Sequence, residues 1–175
     1  MVNDSKTMYK YSIDDYVTYR KVGICRISDI TVQNFGGQGK IEYYVLSSVY
    51  NDNTKVFVPV ASDLENEIKR MLTVDEIHAI IDLSKTIEND WIEDCRTRAA
   101  SFEAIVNSGD KAQMLWLIRR VTAHKNEMDE AKKKMKAYDT RYLTMAESII
   151  SMDFAYALGL QKNQVIGYIN DYLNK

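Results

Sequence analysis

Two hydrophobic rhythms divide the chain, and they change over at Pro59, its single proline. Before it, apolar residues alternate with polar ones and the turns carry glycine. Examples are Tyr16-Val17-Thr18-Tyr19, Gly23-Ile24-Cys25-Arg26-Ile27 and Tyr43-Tyr44-Val45-Leu46. Alternation puts successive side chains on opposite faces, so it predicts half-buried strands. The strands expected are 15–19, 22–30, 42–49 and 55–58. Asn34-Phe35-Gly36-Gly37-Gln38-Gly39 reads as a glycine-rich hairpin connection and Asn51-Asp52-Asn53 as a turn. Pro59 ends the last strand because it has no amide to donate.

After Pro59 the apolar spacing becomes three and four, the period of an amphipathic helix. Thr73-x-x-Glu76 is a capping box ahead of Val74, Ile77, Ile80 and Ile81. Asp90-x-x-Glu93 repeats that logic and predicts a helix to about Asn107, with Ile92, Cys95, Ala99, Phe102 and Val106 facing inward. Ser108-Gly109-Asp110 is a helix-to-helix corner, followed by Met114, Leu117, Ile118 and Val121. A further helix from about Asp139 carries Leu143, Ala146, Ile150 and Phe154. Gly159 serves as its C-cap, and Val165, Ile169 and Tyr172 mark a last helix.

The expected fold is therefore α+β. A small Tudor/SH3-like β-barrel occupies residues 1–62, and an all-α helical bundle occupies residues 63–175. With 46% apolar and 27% charged residues the 175-residue chain can bury a core. The formal net charge is -2, with +1 before residue 63 and -3 after it, so any nucleic-acid surface must arise from local clustering.

Candidate chemistry is sparse. Cys25 and Cys95 lie far apart with no CxxC, and His78 and His124 are isolated on helical patterns and expected to be solvated. No metal site, cofactor or structural disulfide is expected. The opening residues lack the apolar run of a signal peptide, and no window approaches the ~18 apolar residues of a membrane span, so a cytoplasmic location without membrane contact is expected. No acid–base pair or nucleophile stands at informative spacing, so neither an enzyme nor a small-molecule substrate is expected.

The order of motifs resembles the CarD-type bacterial transcription regulators. The residues carrying this are Asp15-Tyr16-Val17-x-Tyr19, Val22-Gly23-x-x-x-Ile27, Tyr44-Val45-Leu46 and Val56-Phe57-Val58-Pro59. In the second half they are Trp91-Ile92-x-Asp94 with Arg98, Ser108-Gly109-Asp110, Lys133-Lys134-Met135 before Asp139, and Ala146-Glu147. The resemblance implies a Tudor-like domain that docks on the β subunit of RNA polymerase. It also implies a helical domain that meets upstream promoter DNA in the minor groove, largely without reading sequence, at the bubble edge. Such proteins shift the stability of the open promoter complex and have no catalytic activity. The chain departs from the family at Tyr19-Arg20-Lys21-Val22-Gly23, where a Tyr-Pro turn is usual. At Gln33 and Phe57 some members carry arginines.

The resemblance assigns polymerase contact to Gln33, Tyr44 and Phe57. It assigns DNA contact to Trp91 as a minor-groove wedge, to Arg98 as a phosphate contact and, more weakly, to Arg96, Arg141 and the run Lys132, Lys133, Lys134. From the residues alone Trp91 reads as a core or edge tryptophan, and the lysine run reads as a solvated helix face. Trp116 is expected to pack against the β domain or another helix. The alternative function is a protein–protein adaptor whose barrel takes a peptide and whose helices take a second protein.

Overall fold

The computed structural model describes residues 9–35, 37, 39–88 and 90–174. The chain falls into two compact units that divide between Met71 and Leu72, beyond the boundary at 62 expected from the sequence. The first contains strands β1 (Tyr16–Tyr19), β2 (Gly23–Gln33), β3 (Ile41–Ser48), β4 (Lys55–Pro59) and β5 (Ile68–Arg70). The second contains helices α1 (Val74–Lys85), α2 (Cys95–Ser108), α3 (Lys111–Glu130), α4 (Ala137–Leu158) and α5 (Lys162–Leu173).

The strands form one antiparallel sheet in the order β4-β3-β2-β1-β5. No ladder joins β4 to β5, so the sheet is open where a closed barrel was expected. β5 extends the unit past residue 62 by pairing with β1, Ile68 against Tyr19. Its three residues Ile-Lys-Arg hold one apolar side chain and therefore give no alternation to detect.

A register shift between Ile27 and Asp29 explains how an eleven-residue strand keeps one apolar face. Cys25 and Ile27 face the core at odd positions, whereas Ile30 packs there at an even one. The extra residue, Ser28, absorbs the change of parity, as a β-bulge does. Its hydroxyl donates to Val45 O at 3.0 Å and accepts from Ser47 Oγ at 3.0 Å, so the interrupted ladder is satisfied by side chains.

The core beneath holds Val17, Tyr19, Cys25, Ile27, Tyr44, Leu46, Val58 and Ile68. Tyr44 is 0% exposed, and its hydroxyl accepts from Lys10 N at 2.9 Å and donates to Glu65 Oε1 at 3.2 Å. Its expected contact with a partner is therefore corrected: the ring is interior and the hydroxyl is engaged.

The helical core is built around α3, which packs against α1, α2 and α4. Met114, Leu115, Trp116, Leu117 and Ile118 are consecutive and all buried, so α3 is enclosed nearly all round. Trp116 thereby takes its place within the helical core, 6% exposed. Thr73 and Glu76 form the expected capping box. α2 begins later than expected: Asp94, not Asp90, is its cap, accepting from Thr97 N at 2.9 Å and Thr97 Oγ1 at 2.7 Å. Cys95 then stands in the first turn and is exposed rather than inward.

Gly159 closes α4 in a left-handed conformation with φ of 65°. Its amide reaches Tyr156 O at 3.1 Å and that of Leu160 reaches Ala155 O at 2.9 Å, the paired bonds that satisfy the last carbonyls of a helix. Among the described residues no helix is long and apolar enough to cross a membrane.

The two thiols should behave differently. Burial pushes the Cys25 thiol up to about 11, whereas Cys95 is free at the surface. A thiol reagent at pH 8 should modify Cys95 within the mixing time and Cys25 only at the rate of unfolding. Equal rates for both in the native protein would contradict this core.

Candidate functional site

In the helical unit, Trp91 stands in the connection between α1 and α2. It is half-buried, packed against the helical core. His124 of α3 stacks on its ring with centroids 4.0 Å apart, and Phe102 meets its edge at 6.2 Å. The guanidinium carbons of Arg98 and Arg120 lie 4.5 and 5.4 Å from the ring centroid, within cation–π range. The tryptophan is thus held among cations, with part of its surface left in solvent.

Arg98 is not the phosphate contact expected of it. It is 4% exposed and bound to Asp139 of α4 through two parallel bonds, Nε to Oδ1 and Nη2 to Oδ2, each 2.9 Å. Nη1 donates to Ile92 O at 2.6 Å and Glu93 O at 3.1 Å. The Asp139 bonds raise the guanidinium's pKa further, and four of its five N–H groups are engaged inside the protein. Arg98 therefore acts as a positioning residue. It ties the backbone beside Trp91 to the first turn of α4.

The histidines are not isolated either. His124 Nδ1 lies 3.3 Å from Glu127 Oε2, while Arg120 reaches the other oxygen of that carboxylate at 3.9 Å. His78 Nε2 is 2.6 Å from Tyr168 Oη, and its ring stacks on Tyr172 at 4.5 Å, so it joins α1 to α5.

The Arg98–Asp139 pair brings the start of α2 and the start of α4 to one end of the helical unit, next to the α3–α4 connection. Arg96, Lys132, Lys133, Lys134 and Arg141 are all exposed there, and none forms an ion pair with another described residue. The lysine run is not a helix face. α3 ends at Glu130, and Lys132 takes a left-handed conformation with φ of 52°.

Behind the run is a cleft of about 480 Å³, lined by Lys125, Lys133, Lys134, Thr140, Thr144 and Glu147 among others. Burial holds the Glu147 carboxyl above its usual range, against the opposing pull of Lys125. Glu127, Asp129 and Glu130 stand in the same region and temper its positive charge.

In the β unit, strand parity sorts the expected contacts. Thr31 pairs with Tyr43 and Val45 with Phe57, so these residues and Gln33 share the face opposite the core. Phe57 is 40% exposed, and half-buried Gln33 donates to Thr31 Oγ1 at 3.4 Å. Phe35, 49% exposed, and Tyr43, neither of them singled out by the sequence pattern, complete a cluster with Phe57. The centroids lie 5.2, 5.3 and 6.4 Å apart in edge-to-face contacts. The signal was available: Tyr43 and Phe57 share parity, while Tyr44 does not. Phe57 also lies on β4, a free sheet edge. No group of three or more His, Cys, Asp or Glu side chains among the described residues could hold a metal ion.

Breaking the ion pair from one side should cost far more than removing both charges. Asp139→Ala leaves Arg98 buried without its counter-charge, and stability should fall by about 3–5 kcal/mol. Arg98→Met with Asp139→Leu should be much milder. Urea denaturation followed by tryptophan fluorescence measures both. Single variants within about 1 kcal/mol of the parent would show that the pair is not the pin described here.

Against known proteins, residues 11–80 match the family model described as the CarD-like/TRCF RID domain. The match takes in the whole sheet and the first turns of α1, leaving α2 to α5 outside it. No curated protein matches the chain. Over its β unit the chain is thus similar to the CarD-like/TRCF RID domain, an RNA polymerase-interacting domain.

Proposed function

We propose that the chain is a bacterial transcription regulator, acting in the cytoplasm, whose two units engage different partners. The β unit docks on the polymerase β subunit, and the helical unit contacts promoter DNA at the upstream edge of the melted bubble. The observation that supports the second half is the set of exposed cations Arg96, Lys132, Lys133, Lys134 and Arg141 near the starts of α2 and α4, which the Arg98–Asp139 pair joins, with half-buried Trp91 in the connection before α2. Cations of this kind neutralise backbone phosphates without reading bases, and release counterions as they do so.

Trp91 has the form of an apolar wedge on a fixed base. Such wedges exploit base steps that are already partly unstacked, as they are at a bubble edge. Arg98 supplies the fixed base by holding the carbonyls of Ile92 and Glu93. The effect on transcription follows from differential affinity. A protein that binds the open complex more tightly than the closed one shifts their ratio by that difference and no more.

A second reading is favoured by the acidic neighbours Glu127, Asp129 and Glu130: the helical unit would bind a protein, and the chain would be an adaptor. Salt separates the two. Affinity for a bubble-containing duplex should fall linearly on a logarithmic scale as salt rises. Replacing Lys132, Lys133 and Lys134 with alanine should flatten that slope by roughly 0.9 for each phosphate left without its lysine. Absence of any DNA-dependent signal at about 50 mM salt would favour the adaptor.

Trp91→Ala should shorten the lifetime of the open complex while leaving binding to the purified β subunit intact. An unchanged lifetime would remove the wedge.

A further inference from the structure

We propose that His124 is the positioning residue for Trp91: stacked against the indole and oriented by Glu127, it fixes the attitude of the ring and tightens its hold when protonated. The consequence for DNA rests on the reading that Trp91 meets the bubble edge; the stack itself does not.

Trp91 belongs to the irregular connection before α2, where no helix or strand fixes its backbone. Arg98 holds the two carbonyls that follow it, Ile92 O and Glu93 O, but not the torsions of the ring. An indole free to turn would lose that freedom on binding, and the loss subtracts from affinity. His124 supplies the restraint. Its ring centroid lies 4.0 Å from that of the indole, with 29° between the planes, and Phe102 meets the indole edge-on at 6.2 Å. Offset stacking and edge-to-face contact are the two arrangements that ring quadrupoles favour.

The imidazole is itself restrained. It is half-buried on α3, and its Nδ1 donates to Glu127 Oε2 at 3.3 Å, one turn along the same helix. The other oxygen of that carboxylate lies 3.9 Å from Arg120, whose guanidinium also stands over the indole. Glu127 thus organises two of the groups that touch Trp91, besides tempering the local positive charge.

Histidine is the side chain whose charge changes between about pH 5 and 8. The charged groups around this one are Arg120, Lys125 and Glu127 on its own helix, and Arg98 of α2. Arg98 is paired with Asp139 of α4 and feels Glu93 and Asp94 of the connection. Protonation turns the Nδ1 bond into an ion pair and the ring stack into a cation–π contact. Both changes hold the indole more firmly, and the added positive charge favours phosphate. Affinity for DNA should therefore rise as pH falls.

The first measurement needs no DNA. Trp91 emission, taken as the difference between the full chain and its Trp91→Phe counterpart, is followed from about pH 8 to about pH 5.5. An imidazolium in contact with an indole quenches its emission more strongly than a neutral imidazole does. The signal should fall in acid, and His124→Phe should abolish the fall while circular dichroism shows unchanged helical content. Emission that is flat with pH in the parent, or a fall that survives His124→Phe, would overturn the proposal.

The second measurement is affinity for a bubble-containing duplex. The parent should bind about two- to fivefold more tightly at about pH 6 than at about pH 8. His124→Phe keeps the stack, so it should match the parent within about twofold at the higher pH and lose the gain in acid. His124→Ala should weaken binding about two- to tenfold. In a Trp91→Ala background the same change should have little further effect, because it acts through the indole. Losses that add in the double variant would overturn the positioning role. Absence of DNA binding by the parent at every pH would remove the promoter reading instead, and the emission experiment alone would then decide the stack.

Discussion

The buried pair between Arg98 and Asp139 is the constraint on which the Trp91 end of the helical unit depends. Two side chains that are 5% and 2% exposed carry full charges away from water, and their mutual attraction alone seldom repays that desolvation. The geometry here adds what is missing. Both carboxylate oxygens are engaged in a fork, and the remaining guanidinium nitrogen takes two backbone carbonyls of an irregular segment. A leucine and a methionine could fill the same space, but they could not hold Ile92 and Glu93 in place. The pair is best understood as a specifier of position: it decides where Trp91 stands and which helix starts are neighbours.

In the β unit the equivalent device is a single inserted residue. Without Ser28, the residues of β2 that follow Ile27 would present their apolar set to solvent, since a one-residue slip reverses every side chain. With it, Ile30 rejoins the core, and Thr31 and Gln33 are placed beside Tyr43 on the outer face. The bulge therefore determines both the integrity of the core and the composition of the exposed aromatic face.

Much of this could be read from the sequence, and the failures have identifiable causes. Alternation located four strands, and the three-and-four spacing with Thr73, Gly109, Asp110 and Gly159 located the helices, because caps and left-handed glycines are local events. β5 escaped because its pairing with β1 is non-local and its own residues are mostly charged. The start of α2 was misplaced because Asp90 and Asp94 are both acceptable caps, and only the bonds to Thr97 choose between them. Arg98 looked like a surface cation because nothing in a one-dimensional pattern shows that Asp139, forty-one residues away, will meet it. Tyr44 was taken for a contact residue where its neighbour Tyr43 holds the outer position, an error of one step in parity.

The two borders of the sheet are unlike each other. β5 is three residues long and ends in Lys69 and Arg70, the kind of short, cationic rim that repels a neighbouring strand. β4 offers a longer border with Phe57 on it. A sheet with one short, charged border and one longer border is protected against edge-to-edge growth on one side only.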